Sequence, residues 1–230
     1  MDYFFQSLLA AQRLLLSFDA DIWFIIWTSL RITLTAIVVC SLFAIPLGVW
    51  LAIHQFPGKR LLHNSLNALM AVPTVMIGLI LYGLLSRRGP LGELELLYTP
   101  TAIILGQIVL VLPILLSITL SAVKSGDRQL LPTLISLGAS TNQQIWLILK
   151  ELKLLIIAGI VFAFSRAIGE VGAAMMLGGN IAGVSRTMTT AIALETGKGE
   201  FEMGLALGIM LLIIAFLLNG LLQWLQGSRP

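Results

Sequence analysis

The chain has 230 residues, 58% of them hydrophobic and 11% charged, with a mean hydropathy of +0.98. Soluble domains carry about 25% charged residues, so this chain has too few to cover a water-facing surface and reads as a polytopic membrane protein. Its net charge of +3 rests on 14 scattered Lys and Arg residues, which excludes a nucleic-acid-binding stripe.

The chain opens MDYFFQSLLAAQRLLLSFDAD, with an early acid and no basic n-region ahead of a small-residue cleavage site, so no cleavable signal peptide is expected. Tyr3 to Phe18 is apolar but short and is interrupted by Gln6, Gln12 and Arg13. Residues 1–20 are therefore predicted to form an interfacial helix lying along the membrane.

A spanning helix needs about 20 largely apolar residues. About five stretches qualify: Ile22 to Ile53, Leu61 to Leu85, Thr99 to Val123, Trp146 to Ile168 and Met203 to Leu225. The first is overlong and must tilt or begin outside the hydrocarbon, with Arg31 snorkelling to the headgroups. Pro73 interrupts the second and predicts a kink there, with Thr74 placed to satisfy the freed carbonyl. Pro46 and Pro113 carry the same meaning in the first and third. The fold class is all-α, a polytopic membrane helix bundle forming one domain over residues 1–230. The links near 124–145 and 171–200 are longer than the rest, and neither reads as a folded extramembrane domain.

Lys and Arg set the orientation. With the N-terminus outside, the inner segments hold Lys59, Arg60, Lys124, Arg128, Lys150, Lys153 and Arg229, and the outer ones hold Arg13, Arg87, Arg88, Arg186 and Lys198. That bias favours a multi-pass protein with its N-terminus outside and its C-terminus in the cytoplasm. Cys40, the sole cysteine, lies in an apolar run and reads as a small buried hydrophobe. His54 and His63 have no cysteine or acidic partner nearby, so no metal site is expected.

The segment LISLGASTNQQIWLILKELK, residues 134–153, is out of character with the greasy spans around it. Pro132 suits the first turn of a short helix. Leu134, Ile135, Leu137 and Ile145 can form an apolar face, while Gly138, Ala139 and Ser140 are small enough to let another surface approach. Such a segment is either a docking knob or a plain connecting loop.

This segment resembles the cytoplasmic coupling loop of ABC importer permeases, with Gly138 at the family's glycine and Ile148 at its later isoleucine. Pro132, Thr133 and Leu134 stand where the family carries Glu-Ala-Ala, and Lys150 and Glu151 where it carries Leu-Pro. A second stretch, residues 164–212, contains SRAIGEVGA and GGNIAGVSRTMTTAI and is similar to the molybdate and tungstate group of these permeases, most of all to its tungstate type. VPTVMIGLILYGLLSRRGPLG resembles the same group, and the matching segments span most of residues 28–226. The resemblance implies a helix bundle of the type I importer kind with a coupling helix in the cytoplasmic loop at 124–150. It implies a homodimer of permeases in a prokaryotic inner or plasma membrane, two ATP-binding cassette ATPases below and an extracytoplasmic oxyanion-binding protein above. ATP and Mg would be held by the partner ATPases; no cofactor is expected on this chain, which has no G-x-x-x-x-G-K-[ST] loop and no catalytic constellation. Lipid is the remaining partner and nucleic acid is not one.

Candidate residues follow. Thr133, Ser136, Leu137, Gly138, Ala139, Ser140 and Thr141 would carry the ATPase coupling. A dehydrated oxyanion is costly in hydrocarbon, and its path needs many weak donors rather than one tight site. Arg166 and Glu170 stand i, i+4 on one helix face and can pair, either as a structural ion pair pinning the span or as part of the anion path. Asn180 lies in a glycine-rich stretch, and Ser185, Arg186, Thr187, Thr189 and Thr190 supply hydroxyls and a guanidinium suited to passing contacts. An outer cap or a receptor-docking surface explains that stretch equally well. Pro73 and Thr74 complete the path and gate candidates. The leading function is the permease subunit of an ATP-driven oxyanion importer, tungstate first, with molybdate, sulfate or phosphate as alternative substrates. A stand-alone secondary transporter or channel is the first rival class, with Glu170 as its main proton-relay candidate, and a non-transporting membrane scaffold is the second.

Overall fold

The computed structural model describes residues 2–17, 19–127 and 129–227, and no strand occurs among them. Phe18, Arg128 and Arg229, used above, lie outside the described residues. α1 spans Asp2–Leu16. α2, Ala20–Ile53, starts where the Asp19 carboxylate accepts from the Asp21 and Ile22 N–H groups at 2.9 and 3.2 Å. It ends where the Lys59 ammonium donates to the Ala52 and His54 carbonyls at 2.7 and 2.8 Å, two acceptors that a helix end leaves over. α3 covers Lys59–Met70 and α4 covers Thr74–Leu85. A 3-10 turn at Gly92–Leu94 leads to α5, Pro100–Ser125, which has the Thr99 hydroxyl as N-cap and Pro100 in its first turn. α6 is Leu130–Ser136, α7 Thr141–Glu151, α8 Lys153–Ile168 and α9 Gly172–Gly178. α10, Met188–Lys198, and α11, Phe201–Gly227, form a hairpin that turns at Gly199, whose φ is +87°.

Among the described residues, three helices are long and apolar enough to cross a membrane: α2, α5 and the Phe201–Trp224 part of α11. Two further candidate spans are bent pairs, α3 with α4 at 97° and α8 with α9 at 62°. The second span is therefore not one kinked helix. Pro73 lacks an N–H and pushes Val72 out of helical geometry, so the chain stops at Met70 and restarts as a separate helix. The fourth span likewise differs from the expected Trp146 to Ile168. Trp146 belongs to α7, and the span continues past Ile168 to Gly178 after a break at residues 169–171.

The central pair is α2 with α5. Thr33 meets Gln107, Cys40 meets Ile108 and Gly48 meets Thr119, so the two helices run parallel. α8 runs antiparallel to α5, with Gly159 against Ile118 and the Ala167 carbonyl on Gln107. α9 runs parallel to α4, with Gly172 on Val75 and Gly78 on Ala173. One core joins Ile25, Ile37, Leu115, Phe164, Met188 and Leu207 from five helices. α1 packs on α11 and buries Ala11 completely.

Without a hydrophobic force between helices in lipid, close backbone approach matters more than side-chain bulk. A Cβ on Gly48 would sit 2.8 Å from Thr119 Cβ, whereas one on Gly208 would meet nothing within 4 Å. Gly48→Ala is expected to cost about 1–3 kcal/mol by overpacking. Gly208→Ala is expected to be neutral or to stabilise by up to about 1 kcal/mol through helix propensity. Thermal unfolding of the detergent-solubilised protein reads both, and equal midpoints would contradict the α2–α5 register.

Candidate functional site

Two places gather the residues singled out from the sequence, and they lie toward opposite ends of α5, a helix about 39 Å long at 1.5 Å per residue.

The first is the α6–α7 handle. Leu134, Ile148 and Leu152 pack with Val49 and Ala122, which fixes the handle to the C-terminal ends of α2 and α5. The turn between its helices is built from backbone geometry. The Gly138 N–H donates to the Ile135 carbonyl and the Ala139 N–H to the Leu134 carbonyl, both at 3.0 Å, and Gly138 has φ +73°. This is a Schellman ending, which needs a left-handed residue at that place. α7 then starts at once. Ser140 and Gln143 form a capping box, in which the Ser140 N–H donates to Gln143 Oε1 at 2.8 Å. Thr133 and Ser136 are exposed on α6, and their hydroxyls donate to the Gln129 and Thr133 carbonyls. Thr141 is the first residue of α7. The projecting surface carries three large apolar side chains, Ile135, Leu137 and Trp146, 59%, 76% and 60% exposed, among exposed polar residues such as Ser136, Ser140, Thr141 and Asn142. Lys150 lies over the Trp146 ring at 5.3 Å. Of these, Trp146 was assigned to a span from its apolar surroundings alone.

The second place is the crossing of the two broken spans. Glu170 is buried, and each of its polar groups is engaged. Oε2 accepts from Arg166 Nη1 at 3.3 Å, Oε1 accepts from the Ala173 N–H at 3.1 Å, and the backbone carbonyl accepts from Thr189 Oγ1 at 2.8 Å. A Cβ on Gly172 would lie 2.8 Å from Val75, 3.5 Å from Glu170 Oε1 and 3.7 Å from Thr74 Oγ1. The restart of α4 after Pro73 and the restart of α9 after Glu170 therefore meet. Pro73, Thr74, Arg166, Glu170 and Thr189, scattered over 117 positions of sequence from first to last, form one cluster.

The remaining candidates stand beside it. Thr187 and Thr190 form the capping box of α10, and Thr187 Oγ1 lies 3.1 Å from the hydroxyls of both Thr189 and Thr190. Asn180, with φ +52°, donates from Nδ2 to the Thr190 carbonyl at 3.3 Å. Ser185 donates from Oγ to the Gly178 carbonyl and receives the Ile181 N–H at 3.2 Å. Arg186 reaches Glu195 at 3.9 Å, and Lys198 holds the same carboxylate at 3.0 Å. Both guanidiniums expected near an anion path are thus already paired with carboxylates.

Sequence reasoning missed Glu195 and Gln107. Glu195 is nine residues from Arg186, off any helical period. Gln107 is an isolated amide in α5 that ties Thr33 of α2 to the Ala167 carbonyl of α8 at 3.3 and 3.1 Å. A buried glutamine inside an otherwise apolar span was the available signal. Thr189→Val keeps the side-chain shape but leaves the Glu170 carbonyl without its partner, and is expected to cost about 1–2 kcal/mol. Its thermal midpoint compared with that of Thr35→Val, whose hydroxyl bonds only within its own helix, checks this.

A helix bundle with membrane-spanning helices, two sharply bent helix pairs and a separate handle at one end is built like a transport subunit worked by a partner protein. The chain belongs to the family described as the binding-protein-dependent transport system inner membrane component, whose model matches residues 44–228. It is 43% identical over 226 residues to the tungstate uptake system permease protein TupB of Peptoclostridium acidaminophilum, covering 98% of this chain and 99% of that one. It is 39% identical to TupB of Campylobacter jejuni over 95% of this chain and 92% of the relative. The molybdenum transport system permease protein ModB of Escherichia coli K12 is 30% identical over 76% of this chain and 82% of its own length.

Proposed function

We propose that this chain is the permease subunit of an ATP-driven tungstate importer. The observation that carries the reading is similarity along nearly the whole chain, at 43% and 39% identity, to two proteins named for tungstate uptake, against a shorter and weaker match to a molybdenum permease. In this reading two copies form the path, two ATPases grip the α6–α7 handles in the cytoplasm, and an extracytoplasmic protein delivers the anion at the opposite end. The N-terminus is outside. ATP and Mg belong to the ATPases.

The anchoring of the handle supports a mechanical account. Movement of α6–α7 is transmitted through Leu134, Ile148 and Leu152 to the ends of α2 and α5, and through Leu152 directly into α8. A shift there tilts α8 against α5 and changes the crossing at Glu170, opening the path to one face at a time. Arg166, with a side chain 42% exposed, is the donor a passing oxyanion can reach, while Asn180 and the buried Thr187, Thr189 and Thr190 hold the backbone around it.

Two measurements test this. Ser140→Cys in a Cys40→Ala background should react with a membrane-impermeant maleimide in inverted vesicles and stay unlabelled in intact cells. Labelling from outside would reverse the topology and sink the mechanism. Calorimetry of the partner binding protein should rank tungstate ahead of molybdate and sulfate; a sulfate preference would reassign the substrate.

A further inference from the structure

At the end of the bundle away from the handle, a cavity of about 650 Å³ opens between the C-terminus of α4 and the segment leading to α5. Tyr82, Ser86, Arg87, Arg88, Glu95 and Tyr98 supply its polar lining over a floor of Leu85 and Leu97. We propose that this cavity is the socket into which the delivering protein inserts an acidic surface segment. The proposal rests on the importer reading above and gives its extracytoplasmic partner a specific seat.

The first argument is charge. The ion pairs among the described residues use Arg166, Arg186 and Lys198. Arg87 and Arg88 are exposed and adjacent, and neither forms an ion pair among the described residues. Two guanidiniums in one concavity are matched by carboxylates in fork geometry.

The second argument is preformation. Glu95 and Tyr98 have φ of +49° and +65°, conformations that side-chain-bearing residues rarely hold unless their surroundings enforce them. Here they do. The Tyr98 N–H donates to the Leu177 carbonyl at 2.7 Å, and its ring lies where a Cβ on Gly179 would be 2.7 Å from Cδ1. The Tyr98 and Tyr82 hydroxyls are 3.3 Å apart, and the Leu91 N–H donates to the Leu84 carbonyl at 3.0 Å. A rigid socket lowers the ordering cost of association. Paired tyrosines and arginines are also the residue types that dominate protein interfaces.

The third argument selects the occupant. A cavity of this volume falls in the range of about 300–1,000 Å³ that encloses many-atom ligands, so a five-atom oxyanion would leave most of it to water. Glu95 in the lining repels a lone oxyanion or a lipid phosphate. A protein edge can answer both signs, offering carboxylates to Arg87 and Arg88 and a base to Glu95. Tyr98 also backs directly onto the end of α9, so an inserted segment presses on the same broken span that carries the Glu170 crossing.

The test uses the complete complex of permease, ATPases and binding protein in lipid nanodiscs. Affinity of the purified binding protein for the complex is measured for wild type, Arg87→Glu/Arg88→Glu and Arg87→Lys/Arg88→Lys. Charge reversal is expected to weaken binding about tenfold or more, and the lysine pair to keep most of it; added salt should weaken the wild type far more than the reversed variant. A photo-crosslinker on Ser86→Cys, in a Cys40→Ala background, should capture the binding protein and guards against misfolding of the double variant. Unchanged affinity overturns the proposal. So does unchanged affinity together with lost co-purifying anionic lipid, which makes the cavity a headgroup site, or with a raised oxyanion KM, which makes it an anion station. If the binding protein fails to bind or stimulate even the wild-type complex, the importer reading itself falls, and that outcome is separate.

Discussion

Arg166→Gln is expected to be the most damaging single polar substitution in the chain, lowering stability by about 2–3 kcal/mol and uptake at least tenfold. Arg166 supplies one of two donors to a carboxylate that is 4% exposed, while its own side chain is 42% exposed. Deleting the exposed partner therefore strands the buried one. The figure sits below the usual cost of breaking a buried pair because Arg166 is partly solvated and its contribution is screened. The two partners are not equivalent. Glu170→Gln keeps an acceptor for the Ala173 N–H and frees an arginine that can reach solvent, so it should cost about 1 kcal/mol. The double variant Arg166→Gln/Glu170→Gln should be more stable than Arg166→Gln alone, because the buried charge has gone. Thermal midpoints of the four proteins in detergent close this cycle, and additive effects would show that the pair is not coupled. Uptake by the double variant separates two roles. Restored uptake would mean that the pair only pins the broken span, whereas a folded but inactive double variant would place the charges in the path.

Gly138→Ala is the second expected large effect, and it acts on coupling more than on folding. A Cβ at this position meets nothing within 4 Å, so no clash opposes it. The cost is the left-handed backbone, about 1–2 kcal/mol for an L-residue at φ +73°. Because the two Schellman bonds and the Ser140–Gln143 box are only two residues apart, relief of that strain reorients α7 against α6. ATP hydrolysis by the assembled complex should continue while uptake falls about tenfold. Gly138→Asn distinguishes the causes, since asparagine tolerates the left-handed region. If backbone geometry is what matters, Asn restores most uptake. If the ATPase needs the bare glycine surface, Asn is as harmful as Ala. Normal uptake in Gly138→Ala would disconnect the handle from transport.

Both predictions depend on features that differ in how far the sequence reveals them. The Gly138 turn could be anticipated from the order Leu-Gly-Ala-Ser-Thr, because a glycine ending one helix and a serine opening the next are local matters of backbone geometry. The Arg166–Glu170 pair was equally open to inspection from its i, i+4 spacing. Its setting was not. Thr74 and Glu170 are 96 residues apart in the chain, and nothing along it signals that the restart after Pro73 meets the restart before Gly172. Proline announced an interruption but not its size: the same residue type leaves α2 continuous at Pro46 and α5 continuous at Pro113, yet at Pro73 the axis turns by 97°.

Composition alone determined that this chain lives in a membrane, and the apolar run lengths located α2, α5 and α11, since both follow from the cost of exposing charge and backbone to hydrocarbon. Local chemistry determined the handle's turn. Tertiary structure alone decided which helices run side by side, that Arg186 is held by Glu195, and that Arg87 and Arg88 form no ion pair among the described residues. Those outcomes depend on distances between residues far apart in the chain, and in lipid no amphipathic pattern marks the face a helix turns to its neighbour, because every face is apolar.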